Sequence, residues 1–549
     1  MNNILKVHDS DNVIAALVNL NVGDLVTLDG EQFEIKETIP MKHKFAAVDF
    51  AVGDLVIMYG VRIGKAKVAI PKGCRISTDN VGHSVKDYEA KSENYSWKKP
   101  DNSKFHNRTF DGYIRSDGKV GTRNYWIVFP LVFCENRNIK LIEETMLEAL
   151  GYKSKPKREM NIDVLIDLYK NGASAEHLLE TSISSDSNET PTNQLFPNVD
   201  GLKFLVHDRG CGEIRQDSEA LCRLMAGYIN NPNVAGATIL SLGCQNAQFS
   251  LLQKAMNAFG VATDKPIYIL EQQKSNSERD FIEEAIKKTF VGLIEANKIQ
   301  RQPAPLSKLT LGLECGGSDG FSGISANPAL GYASDLLVTL GGTTILAEFP
   351  ELNGVEQELI NRCDSVELAA KFSNLMSTYS KRAEEAGSGF EMNPSPGNIK
   401  DGLITDAMKS AGAAKKGGIS NITDILDYTE QATKPGLNLL CTPGNDVEST
   451  TALAGTGCNI MAFTTGLGTP TGNPISPVIK ISSNSILTKR MSDIIDLDAG
   501  TIISGEDTIQ TKGEELIEMM IEVASGRTLT KSEKLNQNDF IPWRRGVSL

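Results

Sequence analysis

An apolar run from Leu309 to Leu313 stops abruptly at Glu314, Cys315, Gly316, Gly317, Ser318 and Asp319. Two acids, a thiol and a hydroxyl thus follow a strand-type segment. The glycines between them permit positive φ and let a ligand approach the backbone closely. In α/β proteins ligands bind just past the carboxyl ends of strands. A purely structural loop rarely carries so many polar groups, because each needs a partner. The loop is read as a site. Lys480 stands alone in the apolar run PVIKISS, where it suits either a desolvated base or a paired cation that grips a carboxylate. Gly466, Gly468 and Gly472 follow NIMAFTT and suggest a cradle for an anionic or polyhydroxylated ligand. Their spacing fits neither a P-loop nor a dinucleotide fingerprint.

The six histidines are His8, His43, His83, His106, His177 and His207, so none follows His207. An acid, base or metal ligand in the last part of the chain is therefore a carboxylate, lysine, cysteine or hydroxyl. His43 and Lys44 follow the turn-forming Pro40. His207 ends KFLVH just before Gly210-Cys211-Gly212. Arg123 and Asn124 close a GTRN turn, where an arginine fork suits a carboxylate or bridges to a neighbouring acid.

The elements that must position these groups fall into an α/β chain with an N-terminal all-β domain. Residues 1–92 hold short alternating segments (DLVTLDG, EQFEIKETI, DLVIMYG, GKAKVAI) of an all-β module. GDLV at Gly23 and again at Gly53 predicts two similar hairpins. Residues 93–109, polar and without periodicity, read as a linker, which would leave the small domain free to move. Residues 110–300 alternate buried strands (YWIVFPLVF, KFLVH, ATILSL, PIYIL) with helical stretches, as a middle α/β domain should. Thr181 to Asn198 reads as an inserted loop. Residues 301–549 continue with LTLGLE, TTILAEF, LNLLC, NIMAFTT and PVIKISS, which predicts a C-terminal parallel, Rossmann-like sheet.

With 549 residues the chain should form two to four domains. A net charge of −13 without a basic run argues against nucleic-acid binding. No apolar stretch reaches membrane-spanning length, and MNNILKVHDSDN lacks a signal-type apolar region, so a cytoplasmic protein without a membrane partner is expected. Nine cysteines without a close pair or CxxC argue against a disulfide framework or a zinc ribbon. Cys134, Cys211, Cys244 and Cys315 fall inside or beside polar, glycine-rich strand ends.

LECGGSDGFSGISANPALG, GYIRSDGKVGTRN, EFPELNGVE, NPSPGN and FTTGLGTPTGNPISPVIKISSNS together resemble the altronate and galactarate dehydratase family of sugar-acid dehydratases. Shorter matches (DNVIAAL, HKFA, GCG, LGC) lie in the same collinear order. FTTG followed by GTP, and the DAG at Asp498, resemble the altronate branch more closely. The resemblance implies a β-clip (SAF-type) module at the N-terminus, a homodimer, and Fe(II), with Mn(II) as a substitute.

The implied reaction removes water from a sugar acid, D-altronate foremost, giving 2-dehydro-3-deoxy-D-gluconate. Loss of the C2 proton and the C3 hydroxyl needs a cation to neutralise the carboxylate, a base and an acid. The metal is assigned to Glu314, Cys315, Asp319 and Glu348, and catalysis to His43, Lys480 and His207. Substrate contacts are assigned to Lys44, Arg123, Asn124, Ser318, Asn327, Thr465, Ser483 and Asn484. Alternatives are a galactarate-type dehydratase, an iron–sulfur lyase using Cys211, Cys244 and Cys315, and a sugar-acid binding protein without turnover. Ser77, Thr78, Asp79 and Asn80 replace the family's His-x-His-Asn run, and Leu467 replaces a common arginine. Those changes are what favours the last alternative.

Overall fold

The two GDLV repeats fold alike. Gly23 and Gly53 take φ of 88° and 95°. Asp24 and Asp54 each accept a 2.7 Å bond from the backbone N–H three residues earlier. The hairpins Leu25–Leu28/Glu31–Glu34 and Leu55–Met58/Val61–Ala66 follow. The computed structural model describes residues 3–92, 94–152, 158–186, 194–262 and 264–548. Beside these hairpins runs an antiparallel sheet in the order β1 (Ile4–Leu5), β2 (Val13–Ala16), β3 (Lys44–Ala46), β4 (Arg75–Ile76).

A parallel sheet comes next, built from β5 (Tyr125–Pro130), β6 (Gly201–Phe204), β7 (Val234–Ser241) and β8 (Ile267–Glu271) in the order β6-β5-β7-β8. Its two central strands are buried at every position, as expected of a parallel sheet covered on both faces. Helix α1 (Arg215–Asn230) precedes β7. The hairpin Arg158–Met160/Ser184–Asp186 reaches into the expected insertion. Residues 187–193 of that insertion lie outside the described residues.

The last sheet has seven parallel strands. In chain order its elements are β9 (Thr310–Cys315), α2 (Ala326–Thr339), β10 (Thr343–Leu346), α3 (Asp406–Ala413), β11 (Ile422–Leu426), β12 (Gly436–Leu440), α4 (Asp446–Thr456), β13 (Ile460–Thr465), β14 (Val478–Ser482) and β15 (Leu497–Asp498). The strand order is β11-β12-β10-β9-β13-β14-β15. After β9 the chain moves outward through β10, then returns to β9's other side with β13. The order therefore reverses beside β9, and a crevice opens at its carboxyl end.

Apolar packing joins these parts. One core runs from Val13, Phe50 and Met58 of the β module to Leu311, Leu313 and Leu346 of the seven-stranded sheet. A second links Ile127 and Ile239 to Leu440, Leu453 and Phe463. The expected free tether is instead strapped down. Phe105 is buried, Tyr95 Oη donates to the Ile419 carbonyl at 2.6 Å, and Asn102 Nδ2 donates to the Thr339 carbonyl. Among the described residues no helix is long and apolar enough to cross a membrane.

Candidate active site

At the crevice, β9 ends on Glu314 and Cys315, and β10 is followed by Glu348, which takes a left-handed φ of 68°. A non-glycine residue held there costs about 1–3 kcal/mol, a strain typical of functional positions. That turn, with the Glu348 N–H on Thr442 Oγ1 (2.8 Å), aims its carboxylate at β9. Glu351 arrives one turn later. Asp446 begins α4, whose Ser449 Oγ donates to Glu314 Oε2 at 2.7 Å.

Ligand-type atoms of Cys315, Glu348 and Glu351 lie within 4.8 Å of one another, as do those of Glu314, Glu348 and Asp446. Two lysines enter the cluster. Lys416 Nζ is 2.5 Å from Glu348 Oε2 and 2.8 Å from Cys315 Sγ. Lys409 Nζ is 2.6 Å from Glu351 Oε1.

Four carboxyls face two ammonium groups in a dry place, and the imbalance shifts their acidities. Burial, then the Glu348 charge, pushes Glu314 well above the carboxylate range. Burial, with Glu348 and Glu351, raises Asp446 to about 7. Burial opposes ionisation of Glu351 too, but Lys409 and Lys416 outweigh it and hold that carboxyl below its ordinary value. Burial and Glu348 push the Cys315 thiol well up. Among the described residues Oε1 of Glu314 and Oε1 of Glu348 accept from no other group, and the two carboxyls lie close enough to share a proton. A buried charge without a counter-charge is costly, so the cluster calls for a cation or shared protons.

Four residues beyond Cys315, Asp319 builds a different centre. Its Oδ1 accepts from Ser483 Oγ (2.7 Å), Ser322 Oγ (3.0 Å) and the backbone N–H groups of Phe321 and Ser322. Its Oδ2 takes Asn484 Nδ2 and Lys42 Nζ, both at 3.0 Å. The β module supplies that lysine. Lys42 also pairs with Asp401 (3.1 Å), and His43 Nε2 lies 3.0 Å from the Lys400 carbonyl. Gly320 is required here, since a Cβ would strike the Lys42 carbonyl oxygen at 2.2 Å.

Residues 2–84 match the altronate/galactarate dehydratase SAF domain, and residues 112–297 match the second domain of D-galactarate dehydratase/altronate hydrolase. Residues 306–548 match the D-galactarate/altronate dehydratase C-terminal domain. The altronate dehydratase of Bacillus subtilis (strain 168) is 33% identical over 550 residues, covering 100% of both chains. The chain belongs to the altronate/galactarate dehydratase family. The altronate dehydratase of Escherichia coli (strain K12) is 32% identical over 549 residues and 99% of each chain. Galactarate dehydratase (L-threo-forming) of the same organism is 32% identical over 544 residues, 96% of this chain and 94% of its own. This member of the dehydratase family is accordingly a hydro-lyase acting on a sugar acid.

Against that family's chemistry the expected residues sort into three groups. Glu314, Cys315 and Glu348 do converge. Asp319 stands apart from them: every lone-pair direction of its carboxylate is taken by a donor, which leaves it no capacity to ligate. Ser483 and Asn484 are gathered at Asp319, where both act as its donors. Thr465 Oγ1 accepts from the Gly468 N–H (3.0 Å) in the adjacent loop. The Ser318 carbonyl accepts from Asn398 Nδ2. Asn327 is closed by Thr464 Oγ1 (2.6 Å) and the Gly412 carbonyl.

The remaining assignments are corrected. Lys44 spends all three N–H groups on the carbonyls of Lys42, Gly320 and Gly402, which leaves none for substrate. Lys480 bonds Gln537 and lies beside Asp496 and Asp539, with Phe463 intervening in register between it and Glu314. Burial lowers its pKa to about 8, but the partners belong to the C-terminal segment. His207 has both ring nitrogens engaged, Nε2 with the Pro130 carbonyl and Nδ1 with the Arg209 N–H. Burial lowers it to about 4, so it stays neutral and holds a loop. Arg123 forms a two-pronged pair with Glu533 (2.7 and 3.0 Å), and Asn124 ties Asp200 to the Asn198 and Ala296 carbonyls.

The sequence reading missed Glu351, Asp446, Lys409, Lys416 and Lys42. Glu351 sits inside EFPELNGVE, and Asp446 sits in PGND after a buried strand, so both carried the strand-end signal that marked Glu314. The lysines carried none.

Proposed function

We propose that this enzyme dehydrates D-altronate to 2-dehydro-3-deoxy-D-gluconate with a divalent iron, replaceable by manganese, at the acid cluster. The observation that carries the metal is the charge imbalance: three buried carboxyls and the half-buried Asp446 against two lysines, with an oxygen each of Glu314 and Glu348 lacking a donor among the described residues. Glu314, Glu348 and Asp446 would hold the ion, since an all-oxygen set suits hard or borderline divalent iron and manganese. Cys315 and Glu351 pair with Lys416 and Lys409; Glu348 pairs with Lys416 through Oε2 only, which leaves Oε1 for the ion. Bound there, the ion supplies the neutralisation of the substrate carboxylate that makes the C2 proton removable.

Two of the chain's own groups bind the substrate and supply the proton for the hydroxyl it loses. Lys42, only partly buried, lies on the β-module side of the crevice and grips the substrate's carboxylate or hydroxyls. His43, beside it, holds the proton for the departing C3 hydroxyl. Burial lowers His43 from its ordinary value, so the doubly protonated ring is scarcer at neutral pH but gives its proton up more readily. Altronate is favoured over galactarate because two full-length relatives carry the altronate name.

The test is anaerobic reconstitution with Fe(II), parallel Mn(II) and chelator controls, and an assay of 2-keto-3-deoxy acid from D-altronate and from galactarate. Metal-dependent turnover with altronate ahead is the expected result. Preference for galactarate would overturn the specificity, and undiminished turnover after chelation would overturn the metal.

A further inference from the structure

Cysteine is among the most buried residue types, yet Cys134, Cys211 and Cys244 are exposed. The other six of the nine are buried or half-buried. The three exposed thiols share one edge of the middle sheet. Cys211 follows β6, Cys134 follows β5 and Cys244 follows β7, and these strands are neighbours in that order. Backbone bonds stitch the loops together. The Phe133 N–H donates to the Arg209 carbonyl (3.0 Å), and the Asn246 N–H donates to the Gly210 carbonyl (2.9 Å).

Glycines in left-handed conformations turn each loop. Gly210 and Gly212 bracket Cys211 with φ of 101° and 66°, and Gly243 precedes Cys244 with φ of 126°. A Cβ on Gly210 would meet the Leu131 carbonyl at 2.1 Å, and one on Gly243 would meet Gln273 Oε1 at 2.5 Å. The loops are thus packed so tightly that only glycine fits beside the cysteines. From the fourth strand end, Gln273 Nε2 donates to Cys244 Sγ at 3.3 Å. A pocket of about 480 Å³, lined by Phe133, Asn136, Val206, His207 and Asp208, opens beside Cys134. Glu135, buried next to it, has an oxygen without a donor.

We propose that Cys134, Cys211 and Cys244 hold a [4Fe–4S] cluster through three thiolates, with the fourth iron open to the adjoining pocket. Thiolates from separate loops, and a donor aimed at a ligating sulfur, are features of such sites. On binding, three S–H bonds break, three Fe–S bonds form and three protons leave to solvent. The cluster arrives with equal numbers of ferrous and ferric ions and as many sulfides as irons, so no electron is gained or lost. The open iron suits a hydroxy-acid oxygen. Cys315, buried on Lys416 in the carboxylate cluster, takes no part. This assignment does not depend on the mononuclear site proposed above.

The test counts iron and acid-labile sulfide in the full-length protein, reconstituted anaerobically with iron and sulfide and then desalted. About four sulfides per chain, with charge-transfer absorbance, are expected. Cys134→Ser, Cys211→Ser and Cys244→Ser should each lose most of that sulfide, while Cys74→Ser and Cys315→Ser keep it. Alkylation mapped by mass spectrometry needs no variant: the three thiols should be protected in loaded protein and modified in apoprotein. Iron without sulfide, sulfide retained by all three variants, or loss in Cys315→Ser would overturn the proposal. Sulfide content is blind to a mononuclear ion, so failure here and failure of the altronate assay are separately visible.

Discussion

Two parallel sheets of this molecule end in glycine-turned loops that carry cysteine, yet the two edges have opposite characters. At the seven-stranded sheet the strand ends are roofed by the β module. There the thiol is buried, and carboxylates with lysines dominate. At the four-stranded sheet the loops lie open and the cysteines are exposed, while nearby charges such as Arg209 and Glu213 pair with each other. A dry, oxygen-rich pocket stabilises a hard cation through charge. An open set of thiols offers covalent softness instead. The same architectural position thus serves different chemistry according to what covers it.

The largest effect that would sharpen this contrast is expected from Glu348→Gln. Removing a shared carboxylate from the cluster should lower kcat by about a thousandfold and abolish Mn(II) binding in equilibrium dialysis. Sulfide content at the other edge should stay unchanged. Loss of both together would mean that the two edges form one site.

Arg123→Met should next cost about 3–5 kcal/mol of stability, because Glu533 would remain buried without its cation. Urea unfolding measures this, and KM of the folded fraction should not move. A raised KM at unchanged stability would restore Arg123 to the substrate site. Lys42→Met should also cost stability, because Asp319 would stay buried without its paired cation. In the folded fraction, a further fall of about 10–100-fold in kcat/KM is expected if this lysine meets substrate. An unchanged kcat/KM would reduce it to a structural tie on Asp319.

The smallest effect concerns pH. The folded protein holds His207 near 4, below its ordinary 6.5. Between those values the unfolded chain binds a proton that the folded chain refuses, so stability falls as pH drops through that window. His207→Gln removes the difference and should recover about 1–2 kcal/mol of the acid-side loss, read from urea midpoints at stepped pH. A variant that tracks the parent at every pH would show that the ring titrates normally.

Much of the fold was legible. Buried strands of the parallel sheets announced themselves as unbroken apolar runs, and the repeated GDLV predicted two alike hairpins because glycine and aspartate fix that turn locally. The strand-end rule pointed to Glu314 and Cys315, which the fold brings together with Glu348. Lys480 was read from another signal: an apolar run marks burial but says nothing about which polar partner waits there. At Arg123 the bridging alternative is the one the structure shows, with an acid, Glu533, that lies far along the chain. The linker misled because its anchors, Ile419 and Thr339, are distant in sequence and leave no local pattern.

Taken alone, the sequence determined the element types, the position of a loop rich in functional groups, and the family, because propensity, hydrophobic period and collinear motifs are local properties of the chain. Tertiary structure decided which charges share a pocket, that Asp319 is saturated by donors while Glu314 and Glu348 are not, and which three exposed cysteines lie at one sheet edge. Those outcomes depend on strand order and on what covers each sheet. Burial and long-range pairing, which set the energy of a charge or a thiol, exist only once the chain has folded.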